Sequence, residues 1–121
     1  MLGPSGVLTP VTSALHTLQG AACWIVAAGG YAFIANAATA NITGLVVSET
    51  GQLALHDANG VTATTAAGSI DLAVPADNGY LYALAGSTHS IYIFSINSDG
   101  SLAAMAPLPN QPAAAAGLVV R

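Results

Sequence analysis

Charge is what this 121-residue chain has least of. Asp, Glu, Lys and Arg together make up 5% of it, against about 25% in ordinary globular domains. Lys and Arg number one between them, and that one is Arg121. A chain with a formal net charge of -4 and no internal cation has no basic patch, which argues against nucleic acid and anionic membrane surfaces as partners. Its one cysteine, Cys23, excludes an internal disulfide and any cysteine-based metal knuckle. Long apolar runs are missing as well. The run Ala21 to Ala28 falls far short of the ~20 residues that span a bilayer as a helix. No basic n-region precedes it to make a secretory signal. The absence of lysine leans the chain toward a secreted or envelope setting, and nothing else in it fixes a compartment.

What is present is apolar. Hydrophobic residues make up 54% of the chain, much of it alanine, so disorder through high charge and low hydrophobicity is excluded. The length suits one domain of ordinary size.

Sliding the chain against itself gives one register, at a shift of 49. Gly30-Tyr31-Ala32-Phe33 then lies over Gly79-Tyr80-Leu81-Tyr82, Ile42 over Ile91, Gly51 over Gly100 and Leu53-Ala54 over Leu102-Ala103. A period of this size marks a propeller blade or a helical-repeat array, and local chemistry separates the two. Each copy reads as four short strands rich in aromatic and β-branched residues, punctuated by turns such as Asp77-Asn78-Gly79 and Asn97-Ser98-Asp99-Gly100. Only Ala113 to Ala116 has helical propensity, and Pro112 and Gly117 confine it. Tyr80 to Leu84 and Ile91 to Phe94 are apolar on successive residues, as in strands covered on both faces. Blades stacked around an axis cover their middle strands in that way. The fold expected is all-β: two four-stranded antiparallel β-propeller blades, with no helix longer than one turn. Tyr31, Phe33, Tyr80, Tyr82, Ile91, Ile93 and Phe94 are expected in the core.

The stretch Asp77-Asn78-Gly79-Tyr80-Leu81-Tyr82, then Ile91-Tyr92-Ile93-Phe94-Ser95-Ile96-Asn97, then Asp99-Gly100-Ser101-Leu102 resembles the blade pattern of lactonase-like seven-bladed β-propellers. These are relatives of phosphogluconolactonases and muconate-lactonising enzymes. The resemblance covers roughly Ala21 to Val120 and rests on structural positions. It implies the blade and a setting among lactone chemistry, and it carries no catalytic residue of that family onto this chain.

The repeat also bounds the module, which fills residues 1–121 as one partial propeller. Blade 1 is expected at about 20–57 and blade 2 at about 68–106. Residues 6–11 match the outermost strand of a preceding blade, and 117–120 the innermost strand of a following one. Two blades leave outer faces exposed, and about three repeats are a usual minimum. Additional propeller blades from the same or another chain are therefore the expected partners, in a homo- or hetero-oligomer or a longer parent protein.

Candidate chemistry is sparse. Asp71 falls on an innermost strand, where a carboxylate can act as a general base or accept a hydrogen bond from a ligand hydroxyl; its counterpart at the shift of 49 is Ala22. His89 falls in the link between second and third strands, a loop end where propellers bind ligands. Trp24, aligned with Ala73, is either buried between blades or a stacking platform under a sugar ring. Cys23, aligned with Leu72, reads as a small buried hydrophobe. Asp77 and Asp99 read as turn residues. His16, His56 and His89 show no metal-ligand spacing beyond the adjacent His56-Asp57, so neither a metal nor a cofactor is expected. No nucleophile elbow is present. Asn41-Ile42-Thr43 matches a glycosylation acceptor.

Three function classes follow. The chain is a structural or ligand-binding segment of a propeller, part of a lactone-hydrolysing or lactonising enzyme whose cations lie elsewhere, or a sugar-binding propeller. The isolated chain is expected not to hydrolyse an anionic lactone unaided, because it has no internal cation to hold the substrate. If it is part of an enzyme, a lactonase-type hydrolase or lactonising isomerase is expected.

Overall fold

The computed structural model of the protein describes residue 1 and residues 3–121. It has nine strands: β1 (Ala22–Ala28), β2 (Tyr31–Asn36), β3 (Asn41–Val47), β4 (Leu53–Leu55), β5 (Ala63–Thr64), β6 (Ser69–Ala73), β7 (Tyr80–Ala85), β8 (Ser90–Ile96) and β9 (Leu102–Ala104). Among the described residues the one helical element is a three-residue 3-10 turn, Gly86–Thr88. The alanine run at 113–116 makes only a turn. Two antiparallel sheets result, ordered β1-β2-β3-β4 and β6-β7-β8-β9, built as propeller blades.

The shift of 49 carries β2, β3 and β4 onto β7, β8 and β9 residue for residue. It fails for the innermost strands. Trp24 pairs with Ala35 and Ile25 with Ile34, while Asp71 pairs with Leu84 and Leu72 with Ala83. Ala35 and Ala83 hold repeat positions one residue apart on the β2 and β7 strands, so Trp24 matches Asp71 and Ile25 matches Leu72. The sequence alignment of Asp71 with Ala22, of Cys23 with Leu72 and of Trp24 with Ala73 is thus corrected by two residues. The cause is the turn. Two residues, Gly29-Gly30, join β1 to β2, whereas six, Val74 to Gly79, join β6 to β7; β6 ends two residues earlier in its register than β1, and the other two extra residues shift the strand.

The first sheet also has a strand that the repeat does not announce. β4 pairs only with Leu45 to Val47 of β3, which leaves the other end of that edge open. β5 pairs there with Asn41 and Ile42, because backbone groups at a sheet edge need partners. In the second sheet a bridge between Ile91 and Leu108 takes the same role.

Neither flanking strand forms. Around residues 6–11 the backbone bonds locally, Gly3 N–H to Val7 O at 2.9 Å and Thr9 N–H to Met1 O at 2.8 Å, and Leu8 makes only an isolated bridge. Residues 117–120 form no ladder; the Leu118 N–H goes instead to the Asp71 carboxylate, at 2.6 Å.

The core lies between the sheets. Ala28, Phe33, Ala35 and Ile42 of the first sheet meet Leu72, Leu81, Ala83 and Phe94 of the second. Side chains alternate along a strand, so Leu81, Ala83 and Phe94 face the first sheet while Tyr80, Tyr82, Ile91 and Ile93 point the other way. The expected burial therefore holds for Phe33 and Phe94 and is corrected for the rest. Tyr82, Ile91 and Ile93 are half-buried and Tyr80 is 40% exposed, because among the described residues no sheet packs on that second face. Tyr31, at the edge of the face that meets the second sheet, is half-buried against the core.

Candidate functional site

The innermost strands β1 and β6 lie beside each other where the two sheets converge. Each carries a register irregularity near its start, between Ala22 and Trp24 in one and between Ser69 and Asp71 in the other. A bulge re-aims the side chain that follows it. That side chain is Trp24 in the first sheet and Asp71 in the second, so both sequence candidates hold the same position of their sheets.

Their surroundings differ. Trp24 is 50% exposed and borders a shallow apolar hollow of about 230 Å³, with Ala22, Cys23, Ile25 and Ile34 as its other walls. Cys23 is itself exposed, which corrects its reading as a buried hydrophobe; it sits in the bulge rather than in the alternating part of the strand. Asp71 is only 6% exposed. One of its oxygens accepts the Leu72 N–H at 2.8 Å and the other the Leu118 N–H at 2.6 Å. Both lone-pair sets facing the backbone are engaged, and the carboxylate acts as a clasp on the C-terminal segment.

His89 ends the 3-10 turn in the left-handed region, with φ at 47°. Ala40, its repeat partner, has φ at 56°, so this geometry belongs to the blade and not to a ligand. The His89 carbonyl accepts the Gln111 N–H at 2.7 Å, and its residue surface is exposed. The 3-10 turn and the start of β6 share one end of the second sheet, since Gly86 N–H bonds to Gly68 O at 2.9 Å. No hydrogen bond joins any two of Trp24, Asp71 and His89 among the described residues.

Polar organisation is concentrated elsewhere, at the seam between the sheets. His56 Nε2 lies 2.9 Å from the carbonyl oxygen of Asp99, and Nδ1 lies 2.8 Å from the Asp57 carboxylate. Both ring nitrogens thus face acceptors, which only the imidazolium satisfies. The Asp57 hydrogen bond, aided by the Asp99 carbonyl, raises the His56 pKa above its ordinary 6.5. Asp57 also accepts from the Thr62 hydroxyl at 2.6 Å, and that bond, with His56, holds its pKa below 3.8. The Asp99 carboxyl is lowered as well, by the Ser101 hydroxyl and then the Ser101 N–H. Sequence reading saw the adjacent pair His56-Asp57 but had no signal for Asp99, 43 residues away.

A second polar group was also missed. Asn36 Nδ2 donates to Asn41 Oδ1 at 2.8 Å and to Thr43 Oγ1 at 2.9 Å, and Asn41 Nδ2 donates to Gln19 Oε1 at 2.7 Å. Asn41 is buried with its amide so engaged, which overturns its reading as a glycan acceptor. Among the described residues no three His, Cys, Asp or Glu side chains gather as a metal site, and no helix is long and apolar enough to cross a membrane.

No protein-family model matches the chain, and no curated protein sequence matches it significantly. Solved structures do resemble it. A protein of unknown function from Desulfotomaculum acetoxidans matches with a TM-score of 0.76 at 20% identity, over 90% of this chain and 33% of its own. A Lactobacillus plantarum protein matches at 0.71 and 16%, over 94% and 36%. A Bacteroides uniformis protein provisionally described as a 6-phosphogluconolactonase matches at 0.66 and 19%, over 74% and 27%. The chain spans about a third of the length of these structures, and the likeness is one of fold: a lactonase-like all-β architecture.

Proposed function

We propose that the chain is a structural and ligand-binding segment of a lactonase-like seven-bladed propeller, completed by further blades from the same or another chain. The observation behind this reading is the match of 90% of this chain to one third of a longer protein of the same fold. The ligand-facing part of the segment is the innermost position held by Trp24 and Asp71, with His89 at the loop end of the second sheet. Trp24 is the platform. A half-exposed indole beside an apolar hollow offers a flat face to the C–H side of a sugar or lactone ring. Asp71, bound to two backbone N–H groups, holds the wall in place.

A lactone-hydrolysing role is the second reading, favoured by the two neighbours from Bacteroides that are provisionally described as 6-phosphogluconolactonases. In that reading the cations that hold an anionic substrate come from other blades, because Arg121 is the only Lys or Arg here.

The test is to measure glycan binding and 6-phosphogluconolactone turnover on the complete assembly, with and without Trp24→Ala. Weaker ligand binding in the variant, at least tenfold, supports the platform. Binding or turnover untouched by Trp24→Ala removes the site from this chain, and an assembly inert to both ligand classes overturns the functional reading.

A further inference from the structure

An asparagine followed by glycine carries its own reaction partner. With no Cβ in the way, the Gly nitrogen can reach the side-chain carbonyl carbon of the Asn. The nitrogen attacks Cγ, the new N–Cγ bond closes a five-membered succinimide, and the bond from Cγ to the amide nitrogen breaks. The proton lost from the Gly nitrogen leaves, through solvent, on the departing ammonia. Water then opens either ring carbonyl and gives aspartate or isoaspartate, with no oxidant or reductant. Among the asparagines of this chain only Asn59 and Asn78 precede glycine. Both are exposed, and the fold holds them very differently.

Asn59 is fixed on every side. Its carboxamide oxygen accepts the Val61 N–H at 3.0 Å, and its main-chain oxygen accepts from Gln19 Nε2 at 2.9 Å. The nucleophile is fixed as well. Gly60 is buried, its N–H donates to the main-chain oxygen of Asp57 at 2.8 Å, and it packs on the Thr17 carbonyl so closely that no Cβ fits. Turning Cγ of Asn59 onto the Gly60 nitrogen has to break these contacts together. At Asn78 there is far less to break. It lies in the link from Val74 to Gly79, between β6 and β7, and among the described residues its carboxamide has no hydrogen-bond partner. Its N–H donates to Pro75 O at 3.0 Å. The Gly79 N–H donates to a side chain, Asp77 Oδ1 at 2.9 Å, which a rotamer change releases. Asn78 rests at φ 56°, a region asparagine tolerates, and leaving it for attack breaks the Pro75 bond within the link. Openings of that local kind lie at the low end of the free-energy range.

We propose that Asn78 is a site of self-modification: the folded chain converts it, through a succinimide with the Gly79 nitrogen, to aspartate and isoaspartate, while Asn59 is protected. The only co-reactant is water. Either product places a new carboxylate beside Asp77, which makes an already anionic chain more so. The isoaspartyl product also routes the main chain through the former side chain. It lengthens by one methylene the link that leads into Tyr80 and β7. The site is independent of the hollow beside Trp24 and of any ligand there.

The test is a time course on the purified 121-residue chain at mildly alkaline pH, in water enriched in heavy oxygen, read by peptide mapping and mass spectrometry. The peptide carrying Asn78 is expected to take up oxygen from the water and to split into aspartyl and isoaspartyl forms. It should do so at least about tenfold faster than the peptide carrying Asn59. In urea strong enough to unfold the chain, the two peptides are expected to react at similar rates, since each is then an Asn-Gly pair in open chain. Gly79→Ala, whose Cβ would meet only the Asp77 side chain at 3.3 Å, is expected to slow the Asn78 reaction about tenfold and to leave Asn59 unchanged. An Asn78 that stays intact in buffer but reacts in urea overturns the proposal, because the fold then shields it. Equal rates at the two sites in buffer overturn it as well, because the contacts around Asn59 then protect nothing. A reaction at Asn78 that Gly79→Ala leaves untouched removes the Gly79 nitrogen as the attacking group.

Discussion

The ring of Tyr31 closes over Gly100, and its hydroxyl bonds to the backbone of Ser98 two residues earlier. This contact ties the start of β2 in the first sheet to the β8–β9 turn of the second. It explains why glycine is needed there twice over: the turn requires a φ of 85°, and the ring leaves no space for a side chain. Gly51 has the first requirement without the second.

Gly100→Ala is accordingly expected to cost more than Gly51→Ala. The left-handed backbone alone costs about 1 kcal/mol for alanine, and displacing the packed ring adds about 1–3 kcal/mol. Urea denaturation of both variants, at concentrations where the chain is monomeric, measures the difference. Equal losses would mean that the Tyr31 contact contributes nothing.

The His56 cluster makes the seam sensitive to pH. The folded pKa of His56 is raised above 6.5, so its contribution is fully present below about pH 6.5 and fades as pH rises through the folded value. Asp57 is lowered below 3.8, so its contribution is present above about pH 4 and fades as pH falls through its folded value. Stability from this pair is expected to be greatest between roughly pH 4 and 6.5. The pair is partly solvated, and the loss on going to pH 8.5 is expected to be at most about 1 kcal/mol. In His56→Gln the alkaline part of that decline should vanish, which denaturation at pH 5.5 and 8.5 reads directly.

Phe94 is 2% exposed and Tyr80 40%, although both stand in continuous apolar strand runs, Ile91 to Phe94 and Tyr80 to Leu84. Phe94→Ala is expected to destabilise the chain by about 3–5 kcal/mol, and Tyr80→Ala by under about 0.5 kcal/mol in the monomer. A thermal or chemical melt of each variant checks the ordering.

Asp71 is expected to act on the C-terminal segment. Asp71→Ala removes the acceptor of the Leu118 N–H, and the Leu118 amide should then exchange with solvent at least tenfold faster, by hydrogen exchange read by NMR. The isolated chain is expected not to hydrolyse 6-phosphogluconolactone above the spontaneous rate. Turnover that Asp71→Asn abolishes would make Asp71 a catalytic acid or base instead of a clasp.

The sequence by itself determined the local pattern. Short-range turn chemistry and a 49-residue register placed β2, β3 and β4 and their copies, because strand length and turn type follow from neighbouring residues. It could not see the two-residue register shift that the longer Val74 to Gly79 link imposes on β6, since Ala-rich strands align almost equally well at either shift. That difference decided that Trp24 and Asp71 share one position. Facing was also beyond it: a continuous apolar run such as Tyr80 to Leu84 has the same composition whether one face is covered or two. Only the packing of the sheets showed that Leu81 and Phe94 are core and Tyr80 is surface. The seam of Tyr31, His56, Asp57, Asp99 and Gly100 was likewise a tertiary decision, because its members come from turns and strand ends brought together by the angle between two sheets, and nothing in their separate neighbourhoods announces it.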